Sequence, residues 1–288
     1  MPLRIATYNV QNLFAEGDVG YTKSMVACKA VARVLDLMAA DVVALQEVGS
    51  LEALEALNAL LRTPYAHIGW QPGNSTRGIH LAYLSRLPLA LQSHALLPLL
   101  DTQGQLLMDH ALAPAEPTTA PEPLLLQRDL LRATLLNNHG VALGLDLFNV
   151  HLKSKTNQTW RLLASDDIRA AEARAVAAAL QALETGSESG GRILLGDFND
   201  LLSADALTPL RALQWQDAVL FDRAQQGATG RAPGTYWPRR RLRIDHVLLN
   251  PGALGGLVPG SAVTHASTLA QRGSDHYPIS VDLEVLAD

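Results

Sequence analysis

Apolar strands that stop abruptly at an acid, an amide or an imidazole recur along this chain, and they restrict its fold more than any other feature. Val42-Val43-Ala44-Leu45 runs without a polar break into Gln46-Glu47, and Ile193-Leu194-Leu195 runs into Gly196-Asp197-Phe198-Asn199. A strand that is apolar at every position, rather than at alternate ones, is buried on both faces. Asn9 closes the first strand, Glu47 the second, His151 and Lys153 a third, and Asp197 with Asn199 a fourth. Asp245 and His246 interrupt the apolar run over 244–249, and Ser274-Asp275-His276 precedes the last strand. If these ends share one edge, they line a single acidic pocket furnished with amides and imidazoles.

Between the strands the apolar period changes to three and four. Met25, Cys28, Val31, Leu35 and Met38 mark one stripe of a helix over 23–40. Leu51, Leu54, Leu57 and Leu61 mark another over 51–61, which Pro64 stops. Ile168, Ala171, Ala175, Ala179 and Leu183 line the inner face of an Ala-rich helix over 158–183, as helical periodicity requires. A short helix is expected at 205–213. Strands are expected at 3–9, 42–47, 65–70, 78–85, 88–100, 124–136, 141–153, 242–249 and 277–285. Asn137-Asn138-His139-Gly140 is a turn cluster between two of them, as in an antiparallel hairpin. Residues 101–122, rich in Pro, Ala and Thr, read as a long surface loop around one short strand, and 187–191 as a flexible linker. No repeat and no stretch composed like a domain boundary is visible. Two sheets packed face to face and flanked by helices is the economical arrangement. An all-parallel doubly wound sheet is the alternative, weakened by the hairpin-like pairs at 65–85 and 124–153.

The chain is long and apolar enough to bury a large core, with 48% hydrophobic residues in 288. Its net charge of -5 gives no global attraction to a polyanion, so any basic site must be local. The one local run is Arg239-Arg240-Arg241-Leu242-Arg243. It reads either as a grip on a phosphate backbone or as a solvated loop with one arginine paired. Tyr236 and Trp237 beside it either stack on a base or pack that loop. The single cysteine, Cys28, allows no internal disulfide and no zinc site, and reads as a small core residue. No signal peptide is visible, and no apolar run approaches the ~20 residues of a membrane span. The expectation is a cytoplasmic protein without stable membrane insertion.

The polar strand ends suit hydrolysis of a phosphate ester. Such a substrate needs a hard cation to offset its charge, and carboxylate and carbonyl oxygens suit Mg²⁺ or Mn²⁺. An ionised Asp can orient and deprotonate an attacking water. Asn side chains donate to phosphate oxygens without adding charge. A His held by a carboxylate can stay protonated and stabilise a negative transition state.

The ordered set Thr7-Tyr8-Asn9-Val10, Leu45-Gln46-Glu47, Asn149-Val150-His151-Leu152-Lys153-Ser154, Gly196-Asp197-Phe198-Asn199, Arg243-Ile244-Asp245-His246 and Ser274-Asp275-His276 resembles the endonuclease/exonuclease/phosphatase superfamily, the fold of pancreatic deoxyribonuclease. The resemblance spans nearly the whole chain. It implies one domain over 1–288, a four-layered α/β sandwich with two mixed, largely antiparallel sheets, and metal-dependent cleavage of a phosphate ester. It makes Glu47 the main ligand of Mg²⁺, or alternatively Mn²⁺, with Asn9 and Asp275 close to the metal. Asp197 would activate or align the water, Asn199 and His151 would bind the scissile phosphate, and Asp245 would orient His276.

Arg128-Asp129 resembles the Arg-acid pair that some relatives place near the substrate phosphate, and Lys153 is either a phosphate contact or a snorkelling surface lysine. Arg77-Gly78 resembles a family turn. His246, one residue from Asp245 on a strand, points to the opposite face and reads as structural. His80, His94, His110 and His139 have no clustered partners. The expected activity is that of a phosphodiesterase, with nucleic acid as the leading substrate. A phosphomonoesterase or a lipid phosphodiesterase would use the same chemistry. A non-catalytic binding protein is disfavoured by the presence of Glu47, Asp197 and His276.

Overall fold

The computed structural model describes residues 2–108, 122–155, 163–184, 190–239 and 242–284. In chain order its elements are β1 (Leu3–Leu13), α1 (Met25–Met38), β2 (Val42–Val48), α2 (Leu51–Ala59), β3 (His67–Gln71), β4 (His80–Ser85), β5 (Leu89–Gln92), β6 (Leu130–Leu136) and β7 (Ala142–His151). There follow α3 (Ser165–Glu184), β8 (Gly191–Asp197), α4 (Thr208–Arg211), β9 (Gln216–Asp217), α5 (Ala218–Gln225), β10 (Asp245–Leu249), α6 (Pro251–Leu254), β11 (Val263–Thr264), α7 (Thr268–Gly273) and β12 (Ile279–Leu283).

The strands form two six-stranded sheets, ordered β11-β12-β1-β2-β4-β3 and β5-β6-β7-β8-β10-β9. Each sheet has one parallel pair at its centre, β1 with β2 and β7 with β8. The other pairs are antiparallel, including the two expected hairpins, β3 with β4 and β6 with β7. A parallel pair needs a crossover, and α1 and α3 are those crossovers. The sheets face each other through Ile5, Val42, Ala44, Leu131, Leu147, Ile193, Leu195 and Val247. The outer face of the first sheet, through Tyr8, Val43 and Leu45, packs against Val31 and Leu35 of α1 and Leu54 of α2. The outer face of the second, through Phe148, Val150 and Leu194, packs against Ile168, Val176 and Leu180 of α3. These are the four layers, and strands covered on both faces explain the continuous apolar runs.

Asn149, Gln46 and Tyr83 hydrogen-bond across the space between the sheets. Asn149 Nδ2 donates to the carbonyls of Leu45 and Ala82, and its Oδ1 accepts from Gln46 Nε2 at 2.7 Å. Tyr83 Oη lies against the Leu131 and Leu147 carbonyls. These bonds fix how the sheets register at the edge where β1, β2, β7 and β8 end. β10 begins there too, with Asp245 opposite Asp197, and so does the approach to β12, antiparallel to β1.

Several expectations are corrected. The strand expected over 88–100 is confined to Leu89–Gln92, with Pro98 and Leu100 in isolated bridges. The helix at 205–213 is a 3₁₀ turn, Asp205–Leu207, followed by the single turn of α4. Met25 is exposed and Cys28 only half-buried. Met25 is the first residue after the N-cap Ser24, in the solvent-facing opening turn of α1. Residues 109–121, 156–162, 185–189, 240–241 and 285–288 lie outside the described residues. With them go His110, most of the 101–122 loop and the 187–191 linker, the start of the helix expected from 158, Val285, and the middle of the arginine run.

Candidate active site

The strands of the two parallel pairs run to one edge, and side chains near their ends meet although up to 188 residues separate them. Asn9 does not close β1, as expected, because the strand continues past a register shift to Leu13. Asn9 Nδ2 donates to Asp197 Oδ2 at 2.9 Å and to Glu47 Oε1 at 3.3 Å, joining β1, β2 and β8. Glu47 Oε2 accepts from the Asn12 backbone N–H at 2.9 Å. Glu47 has φ +65°, at a bulge where the β2–β4 register shifts. This left-handed conformation is costly for a residue with a Cβ and re-aims the carboxylate at the strand end. Gly196 has φ +139°, and a Cβ there would lie 2.0 Å from the Val150 carbonyl oxygen. The glycine therefore lets β7 and β8 approach closely where His151 and Asp197 face each other.

Asp197 is buried and is the centre of the cluster. Its Oδ1 accepts the Asn199 backbone N–H at 2.8 Å. Its Oδ2 lies 3.5 Å from His151 Nε2 and 3.7 Å from His276 Nε2. Burial, reinforced by the Asp245 charge and opposed by His276, raises its pKa to about 7. His276 Nδ1 is held by both oxygens of Asp245, at 2.8 and 3.1 Å. Burial lowers the His276 pKa, but Asp245, Asp197 and Asp275 outweigh it and lift the value to about 10. His276 is therefore an imidazolium at neutral pH. His151 is the reverse case: burial, helped by Arg128, pushes it well below the ordinary value, and it stays neutral.

A cavity of about 480 Å³ opens over this cluster. Glu47, Asp275, Asp197, Asn199, His151 and His276 line it, with Arg77, Arg128, Lys155, Arg239 and Tyr236 around them. The Asp275 carboxyl is pushed up by burial and by Glu47, with His276 opposing. Two like-charged carboxylates, Glu47 and Asp275, facing one cavity form an oxygen donor pair that fits a hard divalent cation. Asn9 turns its NH₂ towards the carboxylates and its Oδ1 towards the Gln11 N–H, so in this arrangement it aligns the acids. Asp197, Asp245 and His276 also place one ligand atom each within 4.8 Å of one another. Because His276 Nδ1 is committed to Asp245, that trio is suited to hold a proton.

Arg128 is buried, and its Nε and Nη1 have no hydrogen-bond partner among the described residues. Asp129 does not pair with it; its Oδ1 accepts the His94 N–H at 2.7 Å. Lys153 is not in the cavity wall, and its Nζ reaches the Ser154 carbonyl at 3.4 Å. Of the arginine run, Arg239 lines the cavity, whereas Arg243 turns away into a buried pair with Asp217 at 3.0 Å. Tyr236 stacks obliquely against His276, ring centroids 5.3 Å apart, and Trp237 Nε1 donates to the Ser274 carbonyl. Both aromatics thus brace the 274–276 turn.

Sequence reasoning passed over Lys155, Gln11 and Asn12, which are also in the wall, and gave Arg77 only a turn-fixing part. Arg77 reaches the wall by donating to Asn12 Oδ1 at 3.2 Å. The alternation Lys153-Ser154-Lys155 after a strand was the available signal for Lys155. For Gln11 and Asn12 the available signal was the polar cluster Asn9-Val10-Gln11-Asn12 after the first apolar run, and Asn is among the residues that tolerate the positive φ of +51° found at position 12. His246 lies on the opposite face of β10, as expected from its place beside Asp245.

The model of the endonuclease/exonuclease/phosphatase family matches residues 6–276. Among solved structures, the human Nocturnin catalytic domain with bound sulfate is similar at 16% identity, covering 99% of this chain and 95% of that one, with a TM-score of 0.65. A Neisseria 3′ phosphatase, NExo, bound to a product DNA hairpin is similar at 18% identity, covering 98% and 99%, with a TM-score of 0.58. Truncated Caenorhabditis elegans TDP2 is similar at 15% identity, covering 98% and 97%, also with a TM-score of 0.58. No curated protein matches the chain.

Proposed function

The chain belongs to the endonuclease/exonuclease/phosphatase family, whose members hydrolyse phosphate ester bonds, and from that premise we propose that it is a divalent-metal-dependent phosphodiesterase acting on nucleic acid. The observation that carries this reading is the position of Asp197. It lies within 3.7 Å of an imidazolium, His276, and 3.5 Å of a neutral imidazole, His151, on the wall of a cavity that Glu47 and Asp275 also face.

In this reading the Asp197 carboxylate takes a proton from a water whose oxygen attacks phosphorus in line with the leaving oxygen. A base with a pKa near the working pH suits that transfer. The His276 imidazolium, oriented by Asp245, faces the negative charge that develops on the phosphate. Asn199 Nδ2 now donates to the Leu152 carbonyl at 2.9 Å and to Asp197 at 3.2 Å. The longer of these bonds is the one exchanged for a phosphate oxygen. His151, whose Nε2 is 3.5 Å from Asp197 Oδ2, lines the same cavity as Asn199. Glu47 and Asp275, with Asn9 beside them, would hold Mg²⁺ or Mn²⁺, which offsets charge on the phosphate and the leaving oxygen.

Arg77, Arg128, Lys155 and Arg239 concentrate positive charge at the cavity of an acidic protein, as a phosphate backbone requires. A phosphate monoester is the second reading. It is favoured by the two unpartnered nitrogens of Arg128, which suit the extra anionic oxygen of a terminal phosphate. Bis-p-nitrophenyl phosphate against p-nitrophenyl phosphate, both with Mg²⁺, separates the two. A panel of single-stranded, double-stranded and abasic DNA, RNA and phospholipid vesicles then names the substrate. Glu47→Gln, Asp197→Asn and His276→Ala are each expected to lose at least about a hundredfold in kcat. Full activity in all three would remove the proposed site.

A further inference from the structure

We propose that His246 is a positioning residue: as a doubly protonated imidazolium it bridges the Asp217 carboxylate to the Asp200 carbonyl and so holds the loop that carries Asp197 and Asn199. The inference rests on the reading of Asp197 as the group that activates water.

Alternation along β10 points Asp245 towards the cavity and His246 towards the opposite face of the sheet. There His246 is buried, with its ring 5.1 Å from that of Phe198. Nδ1 lies 2.8 Å from Asp217 Oδ2, and Nε2 lies 3.1 Å from the Asp200 carbonyl oxygen. Both neighbours are acceptors. A neutral imidazole has one N–H and one lone pair, so either neutral tautomer would set a lone pair against an oxygen. Only the imidazolium satisfies both contacts.

The charges around it permit this. Asp217 is also paired with Arg243 at 3.0 Å, and it caps α5 by accepting the Leu220 N–H. Burial opposes its ionisation, but Arg243 and His246 outweigh burial and hold its pKa at about 2. The Asp200 carboxylate is gripped separately by Arg169 at 2.8 Å and Lys155 at 2.5 Å. Asp200 is thus fixed by its side chain from α3 and by its carbonyl from His246.

Asn199, one residue earlier, has φ +55°, a conformation that persists only where its surroundings impose it. Without the His246 bond the Asp200 peptide can turn, Asn199 can leave the left-handed region, and Asp197 loses the Asn199 N–H that orients its Oδ1. A displacement of about 1 Å at a reacting group costs on the order of a hundredfold in rate.

The test uses the full chain and three variants, His246→Leu, His246→Gln and His246→Gln with Asp217→Asn. In the double variant the carbonyl of the introduced glutamine accepts from the amide of the introduced asparagine, while the glutamine's own amide donates to the Asp200 carbonyl. With bis-p-nitrophenyl phosphate and Mg²⁺, the single variants are expected to lose about 10- to 100-fold in kcat with KM within about threefold. The double variant is expected to regain most of that loss. In the wild type, ¹⁵N NMR of His246 at pH 7 is expected to show both ring nitrogens protonated, and His246→Gln is expected to shift the Asn199 and Asp200 amide resonances. A neutral-tautomer ¹⁵N pattern overturns the proposal, as does a His246→Leu protein that melts earlier but keeps its kcat. Absence of any phosphoesterase activity in the wild type would count against the functional reading instead. The NMR arm would still decide whether His246 bridges the loop.

Discussion

Replacing Asp245 with Asn isolates the charge that keeps His276 protonated. The two oxygens of Asp245 are 2.8 and 3.1 Å from His276 Nδ1, and the pair is buried. His276 rises from 6.5 to about 10 against the opposing effect of burial. At 1.36 kcal/mol per pH unit that rise is on the order of 5 kcal/mol of preference for the imidazolium. Asp245 is the largest raising contributor, and Asp197 and Asp275 supply the rest. An adjacent opposite charge accounts for roughly 1–3 units, so Asp245→Asn is expected to bring the midpoint down by about 2 units.

The sign for stability follows from linkage. A folded-state pKa above the unfolded value contributes stability that is complete below about 6.5. That stability is lost as pH rises through about 10 in the wild type and near pH 8 in the variant. The two proteins should therefore differ more in urea midpoint at pH 5.5 than at pH 9, and least above pH 10. Asp245 also raises Asp197, so both groups titrate lower in the variant. The assay is an NMR titration of the His276 Cε1–H resonance in chelator-treated protein, with Asp245→Asn beside the wild type. A variant midpoint within half a unit of the wild-type value would refute the assignment of Asp245 as the source of the His276 charge.

Other consequences are as direct. Because Asp197 must be ionised to take a proton and its pKa is about 7, kcat/KM should rise about tenfold per pH unit below 7 and level off above it. Ionisation of this raised carboxyl also withdraws stability as pH rises from 3.8 through 7, a trend that denaturant midpoints should follow. Gly196→Ala sets a Cβ against the Val150 carbonyl at φ +139°, and should cost more than about 3 kcal/mol, measured by urea unfolding. Asn149→Ala strips the Leu45 and Ala82 carbonyls and Gln46 of their shared partner. It should cost on the order of 2–4 kcal/mol, with a fall in kcat because the same bonds register the two sheets.

Periodicity and turn chemistry are local, and what they determine was legible. The apolar runs of β2 and β8, the stripe of α1 beyond its first turn, and the hairpin around Asn137-Asn138-His139-Gly140 all lie where the sequence puts them. Residues at strand ends were legible as candidates for the same reason, since the change from apolar to polar is a one-dimensional signal. The ordered motifs added a family and hence a set of roles.

What the sequence left open is what depends on how strands from distant parts of the chain come to lie beside one another. That Asn9 donates to Asp197 across 188 residues, or that Arg128 rather than Lys153 faces the cavity, follows from sheet order and from the Asn149–Gln46 bonds between the sheets. The conformations of Glu47 and Asn199, at φ +65° and +55°, are held by a bulge and by anchors elsewhere, for Glu47 against its local preference. His246 was legible as facing away from the site. Its two acceptors, one on the edge strand β9 and one after β8, meet only once three strands are packed. The chain thus determined which groups its strand ends would present, and the packing of the two sheets decided their mutual distances. Those distances set the charge states, because the interaction of charges depends on separation and burial and not on their order along the chain.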